Sequence, residues 1–188
     1  MSRLEELIAE HCPDGVEYVK LNELLDYEQS TKYIAQDTDY NDEGLGVVVI
    51  AASGIAIRGY TETGNPYIAT RDKGVILQDE RNGSFRWYAE PFCVHNSKIV
   101  ILRPRENSTY DFLMKYVYYA MRNLELESGE PCSISKSSHQ SIPLPPSKTQ
   151  RDIVNFLDKF HDKERIHDTR VSAHHIIGKI ICDKGDIR

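Results

Sequence analysis

The segment from Ser141 to Phe160, SIPLPPSKTQRDIVNFLDKF, constrains the fold of this 188-residue chain more than any other. Three of the four residues from 143 to 146 are prolines. Proline lacks an amide hydrogen and its ring clashes with the preceding helical turn, so no continuous helix crosses this point. Ser147 then offers an N-cap for a new helix. The apolar residues that follow recur at helical spacing: Ile153, Phe156, Leu157 and Phe160.

The helix predicted from Ser147 continues in sequence to about Ile181, which is about 35 residues or about 50 Å. Val171 prolongs its apolar stripe only weakly. One small domain does not cover a stripe of this length, so part of it needs another helix beside it. The sequence therefore predicts a globular domain at residues 1–146 and a helical spacer or dimerisation segment at 147–188.

The middle of the chain consists of short β-branched runs separated by glycine-containing turns such as Asn82-Gly83. Six strands are predicted: Val47–Ala52, Ile55–Tyr60, Gly74–Leu77, Ser84–Tyr88, Phe92–His95 and Lys98–Leu102. A helix is predicted over Thr109–Asn123, and the acidic residues 26–43 are expected to form an exposed loop. The fold class is therefore α+β, a mostly antiparallel or mixed sheet with flanking helices, followed by one long C-terminal helix.

Composition limits the class of protein. Hydrophobic residues make up 40% and charged residues 28%, as in ordinary soluble domains. No apolar run approaches the roughly 20 residues that cross a membrane, and the acidic N-terminus does not resemble a signal peptide. The four cysteines form no CxxC pair, which argues against a zinc site or a disulfide scaffold. These features predict a cytoplasmic protein without a membrane partner.

No motif for catalysis is present: the chain lacks HExxH, GxSxG, a phosphate-binding loop and a dinucleotide-binding glycine pattern. A nuclease-like acidic cluster could be assembled from Asp72, Asp79, Glu80 and Glu90, but solvated turns account for such acids more simply. His167 and His174 share a helix face without the spacing or third ligand of a metal site. The sequence thus predicts no catalytic residue, no metal ligand and no cofactor.

Charge is distributed unevenly along the chain. The net charge is −6, but residues 53–105 carry 8 Lys and Arg against 5 Asp and Glu. Local clusters decide where a polyanion binds, because charges act over a screening length of about 10 Å. Arginine forks, lysines and aromatic rings at strand ends and turns suit phosphates and base edges. The candidate DNA-binding residues are Arg58, Tyr60, Arg71, Lys73, Arg81, Arg86, Lys136, Ser138 and His139. Taken alone, this composition also fits an ordinary sheet with polar turns.

The motifs resemble those of one known family. IPLPPSKTQRDIVNFLDKF is similar to the proline-rich turn and helix start that follow each target recognition domain in type I restriction–modification specificity subunits. CPDGVEYVKL, near the N-terminus, is similar to the usual start of these subunits. SGIAIRGYTE, KGVILQDERNGSFRWYAEPFCVHNSKIVILRP and YDFLMKYVYYAM occur between them in the family's order. The resemblance covers about residues 3–160.

The resemblance implies a noncatalytic subunit that recognises one half of a bipartite site on double-stranded DNA. In the family, the recognition domain contacts DNA, and long helices set the spacing and bind methyltransferase subunits that carry the S-adenosylmethionine chemistry. A separate restriction subunit cuts. The helix interface would comprise Ile153, Phe156, Leu157, Phe160 and Val171.

The chain departs from the family in having one recognition domain and one spacer where a full subunit has two of each. It is either a half-subunit that forms a homodimer through its C-terminal helix, or a truncated or split product. A twofold homodimer would require a palindromic bipartite site. The competing hypothesis is a degenerate specificity subunit that binds its protein partner but does not recognise DNA.

Overall fold

In the computed structural model we describe residues 6, 8–10, 12–36, 40–52, 55–128 and 138–159, and the side chains of these except 125–128. Strands and helices are labelled in chain order: β1 Glu17–Lys20, α1 Leu21–Leu24, β2 Leu25–Gln29, a 3₁₀ turn Ser30–Tyr33, β3 Val47–Ala51, β4 Ala56–Thr61, β5 Val75–Asp79, β6 Phe85–Tyr88, β7 Phe92–Val94, β8 Ile99–Pro104, α2 Met114–Ser128, β9 Ser141–Leu144 and α3 at 147–159. The α+β class predicted from the sequence is confirmed.

A four-stranded antiparallel sheet in the order β2-β8-β5-β6 forms the centre of the domain. Helix α2 packs against β5 and β6 on one face of this sheet. Phe85 and Trp87 of β6 contact Tyr118 of α2, with ring centroids 5.9 and 6.4 Å apart. Strand β5 is buried along its whole length because both of its faces are covered.

A second, three-stranded sheet in the order β4-β3-β7 shares one hydrophobic cluster with the four-stranded sheet. Strands β3 and β4 are antiparallel, whereas β3 and β7 are parallel. Each fully buried aliphatic or aromatic side chain contributes about 1.5–3 kcal/mol to stability. The strand residues of the shared cluster are Val48, Ile50, Val75, Leu77, Phe92, Val94, Ile99 and Ile101.

The six predicted mid-chain strands are confirmed, with ends shifted by at most two residues. The predicted helix Thr109–Asn123 begins later, at Met114. The loop predicted over residues 26–43 is wrong at its start, because most of β2 and the 3₁₀ turn lie there. Pairing with β8 overrides the polar composition of β2: Tyr27 lies opposite Leu102, and Leu25 is buried.

The proline cluster does more than end the domain. Ser141–Leu144 forms β9, which pairs antiparallel with β1 and places Pro143 opposite Tyr18. The amide of Leu21 donates to the carbonyl of Gln140, so alternation along the ladder puts Pro143 at a position without ladder hydrogen bonds. The missing N–H of Pro143 therefore costs no pairing, and its carbonyl accepts a 2.6 Å bond from the Tyr116 hydroxyl.

Gln150, in the first turns of α3, connects three segments of the domain. It is fully buried, and its Oε1 accepts the Leu113 amide at 2.8 Å, just before α2. Its Nε2 donates to the carbonyls of Pro145 at 2.8 Å and Asp111 at 3.2 Å. One side-chain amide thus fixes the start of α2 and the turn after β9 together.

The chain divides into a compact unit at Met1–Arg151 and a second at Asp152–Arg188, of which the structure describes 152–159. The predicted boundary between 146 and 147 stays a prediction. Within the described residues, no helix has both the length and the apolar character needed to cross a membrane.

Candidate nucleic-acid interface

Arg58 lies at an irregularity in β4, an edge strand of the three-stranded sheet. Gly59 pairs with Val49 but Ile57 pairs with Ile50, so Arg58 is an extra residue in the ladder, a β-bulge. Gly59 has φ +151°, and a Cβ there would lie 2.7 Å from the Cβ of Tyr40. Bulges redirect side chains, and here both Ile57 and Arg58 are exposed. The bulge therefore presents an arginine to solvent from an edge strand.

Arg86 lies on β6, the edge strand of the four-stranded sheet. It pairs with Leu77, which is buried in the shared cluster, whereas Arg86 itself is exposed. Tyr88 is two residues further on the same face and packs edge-on against Phe92, with centroids 5.3 Å apart. Strand β6 therefore carries an arginine and a partly buried tyrosine side by side.

Tyr60 of β4 and Tyr88 of β6 both pack against the shared hydrophobic cluster. Burial raises the pKa of Tyr88 to about 12, and Glu90 and Tyr60 act in the same direction. Tyr88 is therefore a neutral hydrogen-bonding group at physiological pH. Strands β4 and β6 have the same pattern, Arg-x-Tyr: Arg58-Gly-Tyr60 and Arg86-Trp-Tyr88. We refer to Arg58, Tyr60, Arg86 and Tyr88 as the edge flank.

Two turns extend the edge flank at either end of β6. The turn before β5 carries Arg71 and Lys73, is closed by hydrogen bonds between Thr70 and Lys73, and leads into Val75, the partner of Tyr88. The turn between β5 and β6 carries Arg81. Strand β6 with these turns spans about 20 Å, the length of about six base pairs at 3.4 Å per step.

The basic side chains differ in how they are held. Arg58, Arg71, Lys73 and Arg86 are exposed, and no hydrogen bond or ion pair engages their side chains within the described residues. Arg81 is held by Asp79, whose side chain is 0% exposed, through an ion pair at 3.2 Å. From the sequence Asp79 is one of several turn acids, and only the ion pair in the structure identifies it as the partner of Arg81.

At the opposite edge of the four-stranded sheet, acidic side chains of β2 pair with Arg103 of the neighbouring strand β8. Arg103 forms ion pairs with Glu106 at 3.0 Å, Glu28 at 3.2 Å and Asp26 at 3.7 Å. Burial acts to raise the pKa of Glu28, but hydrogen bonds from Lys32 and Tyr33 and the charges of Lys32 and Arg103 hold it below its ordinary value. The glutamate therefore stays ionised at neutral pH. Among the described residues, Arg103 is therefore engaged by carboxylates, whereas Arg86 on the β6 edge is exposed.

The structure places Ser138 and His139 away from the edge flank. The Ser138 carbonyl accepts the Asn22 amide, which sets this turn beside α1 and therefore near β2. Strand β2 is three strands from β6, about 14 Å across the sheet. Lys136 lies outside the described residues.

Of the predicted helix-interface residues, Ile153 is buried, and Phe156 and Leu157 are partly buried. Phe160 and Val171 lie outside the described residues. The nuclease-like acids do not form a metal site, because in the described ranges no group of three His, Cys, Asp or Glu side chains is arranged to hold a metal ion.

Comparison with known proteins identifies the family to which this chain belongs. The family model described as "Type I restriction modification DNA specificity domain" matches residues 13–172. The EcoR124I/EcoR124II specificity subunit of Escherichia coli is 35% identical over 175 residues, covering 85% of this chain and 41% of that protein. The chain thus spans less than half the length of this curated relative.

Two solved structures share the fold. The S subunit of a type I restriction–modification system from M. genitalium has a TM-score of 0.64 at 18% identity, covering 98% of this chain and 50% of that chain. The HsdS subunit from Thermoanaerobacter tengcongensis has a TM-score of 0.54 at 22% identity, covering 85% of this chain and 42% of that chain. Specificity subunits of such systems are noncatalytic DNA-recognition subunits, as the sequence motifs predicted. The chain, matched by the family model over most of its length, belongs to the DNA specificity family of type I restriction–modification systems.

Proposed function

We propose that this chain recognises one half of a bipartite double-stranded DNA target and positions methyltransferase subunits on it. The observation that carries the proposal is the family match over residues 13–172. The edge flank supports it, since Arg58 and Arg86, which form no ion pair within the described residues, lie on edge strands that also carry Tyr60 and Tyr88. Phosphate contacts would come from Arg71 and Lys73, and base contacts from Arg58 and Arg86.

The partners in this proposal are the methyltransferase subunits and the restriction subunit. A solved structure with 22% identity and a TM-score of 0.55 concerns "complex assembly and conformational transition of the type I R-M system". The chain would pair with a second copy through the helix that begins at 147, using the partly buried Phe156 and Leu157 in a coiled coil. It would act in the cytoplasm, where the host DNA lies.

Deletion of the gene is expected to remove one bipartite adenine-methylation motif from the host genome. The reason is that the methyltransferase subunits find their site only through the specificity subunit. Single-molecule methylome sequencing of the two strains measures this, and a palindromic motif would support the homodimer. An unchanged methylome, with the methyltransferase subunits still bound to the chain, would favour the degenerate interaction module.

Arg58→Ala and Arg86→Ala are each expected to weaken sequence-specific DNA binding by about 1–3 kcal/mol, the value of one bidentate arginine–guanine contact. The binding affinity of the full chain with its methyltransferase subunits is measured at several salt concentrations. One duplex contains the motif identified by methylome sequencing, and the other contains a scrambled sequence. If the arginine contacts only phosphate, its removal would instead weaken binding to both duplexes equally and make the salt dependence of binding shallower.

Arg105→Ala is the matched control. Arg105 is also exposed, but its Nη1 donates to the Asn22 carbonyl on the α1 side of the domain. Its removal is expected to leave specific binding within about twofold of the wild type, as for a surface change away from the interface. Equal binding by the wild type, Arg58→Ala and Arg86→Ala would contradict the assignment of the edge flank.

A further inference from the structure

We propose that Asp79 is a positioning residue that fixes Arg81 as a two-donor fork for the major-groove edge of a guanine. This inference rests on the proposed DNA-recognition function and goes beyond it by naming a base and the side chain that holds its reader. Asp79 would not touch DNA. It would act only through Arg81.

The contacts between the two residues are directional. Asp79 is the last residue of β5, and its Oδ1 accepts the Arg81 amide at 2.9 Å and the Arg81 Nε at 3.2 Å. Its Oδ2 accepts the Arg81 Nη2 at 3.2 Å. The carboxylate therefore holds one edge of the planar guanidinium at both ends, which fixes the plane of the group as well as its position.

The turn that carries this pair is itself well connected. The amide of Gly83 donates to the Asp79 carbonyl at 2.9 Å, and the Asp79 amide donates to the Ser84 carbonyl at 2.8 Å. The Asn82 Oδ1 accepts the amide and hydroxyl of Ser84 at 3.0 and 2.8 Å. A carboxylate needs only the Arg81 amide to close such a turn, so the guanidinium contacts are additional to turn formation.

Exposure separates the roles of the two side chains. The Asp79 side chain is 0% exposed and that of Arg81 is 55% exposed. Within the described residues, Nη1 of Arg81 makes no hydrogen bond. With the Nε–Nη2 edge held, Nη1 and the outer hydrogen of Nη2 form two parallel donors on the far side. This spacing matches guanine O6 and N7, which accept such a pair in the major groove.

A fixed fork favours a base edge over a phosphate. Phosphate oxygens accept hydrogen bonds from many directions, so a flexible point charge such as Lys73, at the other end of β6, serves there without being held. A base edge requires a set plane and distance. Holding the arginine before DNA binds reduces the entropy lost on binding, and this reduction applies only to the orientation that Asp79 selects.

The test is selection from a duplex library with a randomised central segment, using the full chain with its methyltransferase subunits. The wild type is expected to select guanine at a position that Arg81→Lys and Asp79→Asn no longer select. Preference for guanine there should fall about 5- to 150-fold in both variants, with discrimination at other positions retained. Asp26→Asn, which removes another arginine-paired carboxylate, is the matched control and should select the wild-type sequence.

Melting temperatures of all variants show whether each is folded, and Arg81→Lys tests the inference even where Asp79→Asn unfolds the turn. The inference is overturned where either folded variant keeps the wild-type preference at every position. It is also overturned where Arg81→Lys weakens binding to all sequences equally with a shallower salt dependence, because that is a phosphate contact. A wild-type complex that selects no sequence would overturn the proposed function itself, which is a distinguishable result.

Discussion

Gln150→Met is expected to lower the free energy of unfolding by about 3–5 kcal/mol. Methionine keeps the length and most of the volume of glutamine, so the change removes hydrogen bonds without leaving a large cavity. Three bonds are lost, to the amide of Leu113 and the carbonyls of Asp111 and Pro145. Each is worth about 1 kcal/mol, and a buried backbone group left without a partner costs about 1–3 kcal/mol more.

The expected loss is large because Gln150 is buried and its partners belong to separate segments. Water cannot replace the side chain at a site with 0% exposure. The start of α2 and the turn after β9 would lose their common connection. Urea unfolding monitored by circular dichroism measures the change, with an unchanged m-value showing that the same surface is exposed on unfolding.

Gln36→Met is the control, since it makes the same chemical change at an exposed glutamine. It should alter stability by less than about 0.5 kcal/mol. A loss below about 1 kcal/mol for Gln150→Met would contradict the account, because it would mean that the three backbone groups find other partners.

Gly74→Ala is expected to destabilise the domain by about 1–3 kcal/mol or more through overpacking. A Cβ at this buried position would lie 2.1 Å from Cζ2 and 2.5 Å from Cη2 of Trp87. The backbone at Gly74 does not require a positive φ, so the penalty is steric and not conformational. The indole also packs against Tyr118 of α2, which limits how far it can move.

A double-mutant cycle with Trp87→Leu isolates this steric effect. The smaller side chain opens space for the new methyl group, so Gly74→Ala should cost less in the Trp87→Leu background than in the wild type. We expect a coupling energy of about 1–3 kcal/mol, measured by chemical unfolding of all four proteins. Additive effects would show that the penalty at Gly74 has another cause.

Much of the secondary structure is predictable from the sequence because its signals are local. Runs such as Val47–Ala52 combine β-branched residues with flanking glycines, and the strands observed there differ by at most two residues. The family motif at Ile142–Phe160 likewise needs no tertiary information. The α+β class follows from these signals and is confirmed.

The prediction that failed, at β2, and the strand that was not predicted, β9, are both segments defined by a distant partner. Strand β2 has a polar sequence and forms because β8, more than 70 residues later, pairs with it. Strand β9 contains Pro143, which looks like a strand breaker until β1 supplies a register in which its missing N–H is not needed. Local propensity carries no information about such a partner.

The candidate interface divides in the same way. Charge and position at strand ends or turns are enough to select Arg58, Arg81 and Arg86 as candidate DNA contacts from the sequence. The bulge that exposes Arg58 becomes visible only when β4 is paired with β3. The contribution of Asp79 requires knowing that its carboxylate is buried, which no neighbouring residue in the sequence indicates.

The sequence by itself determined the family, the α+β class, the helix start after the prolines and the set of basic side chains. Each follows from composition or from patterns within about twenty residues. Only the tertiary structure decided that Tyr60 of β4 and Tyr88 of β6 pack on one hydrophobic cluster, that β9 returns to β1, and that Asp79 holds Arg81. These depend on which surfaces are buried against each other, and burial is a property of the whole fold.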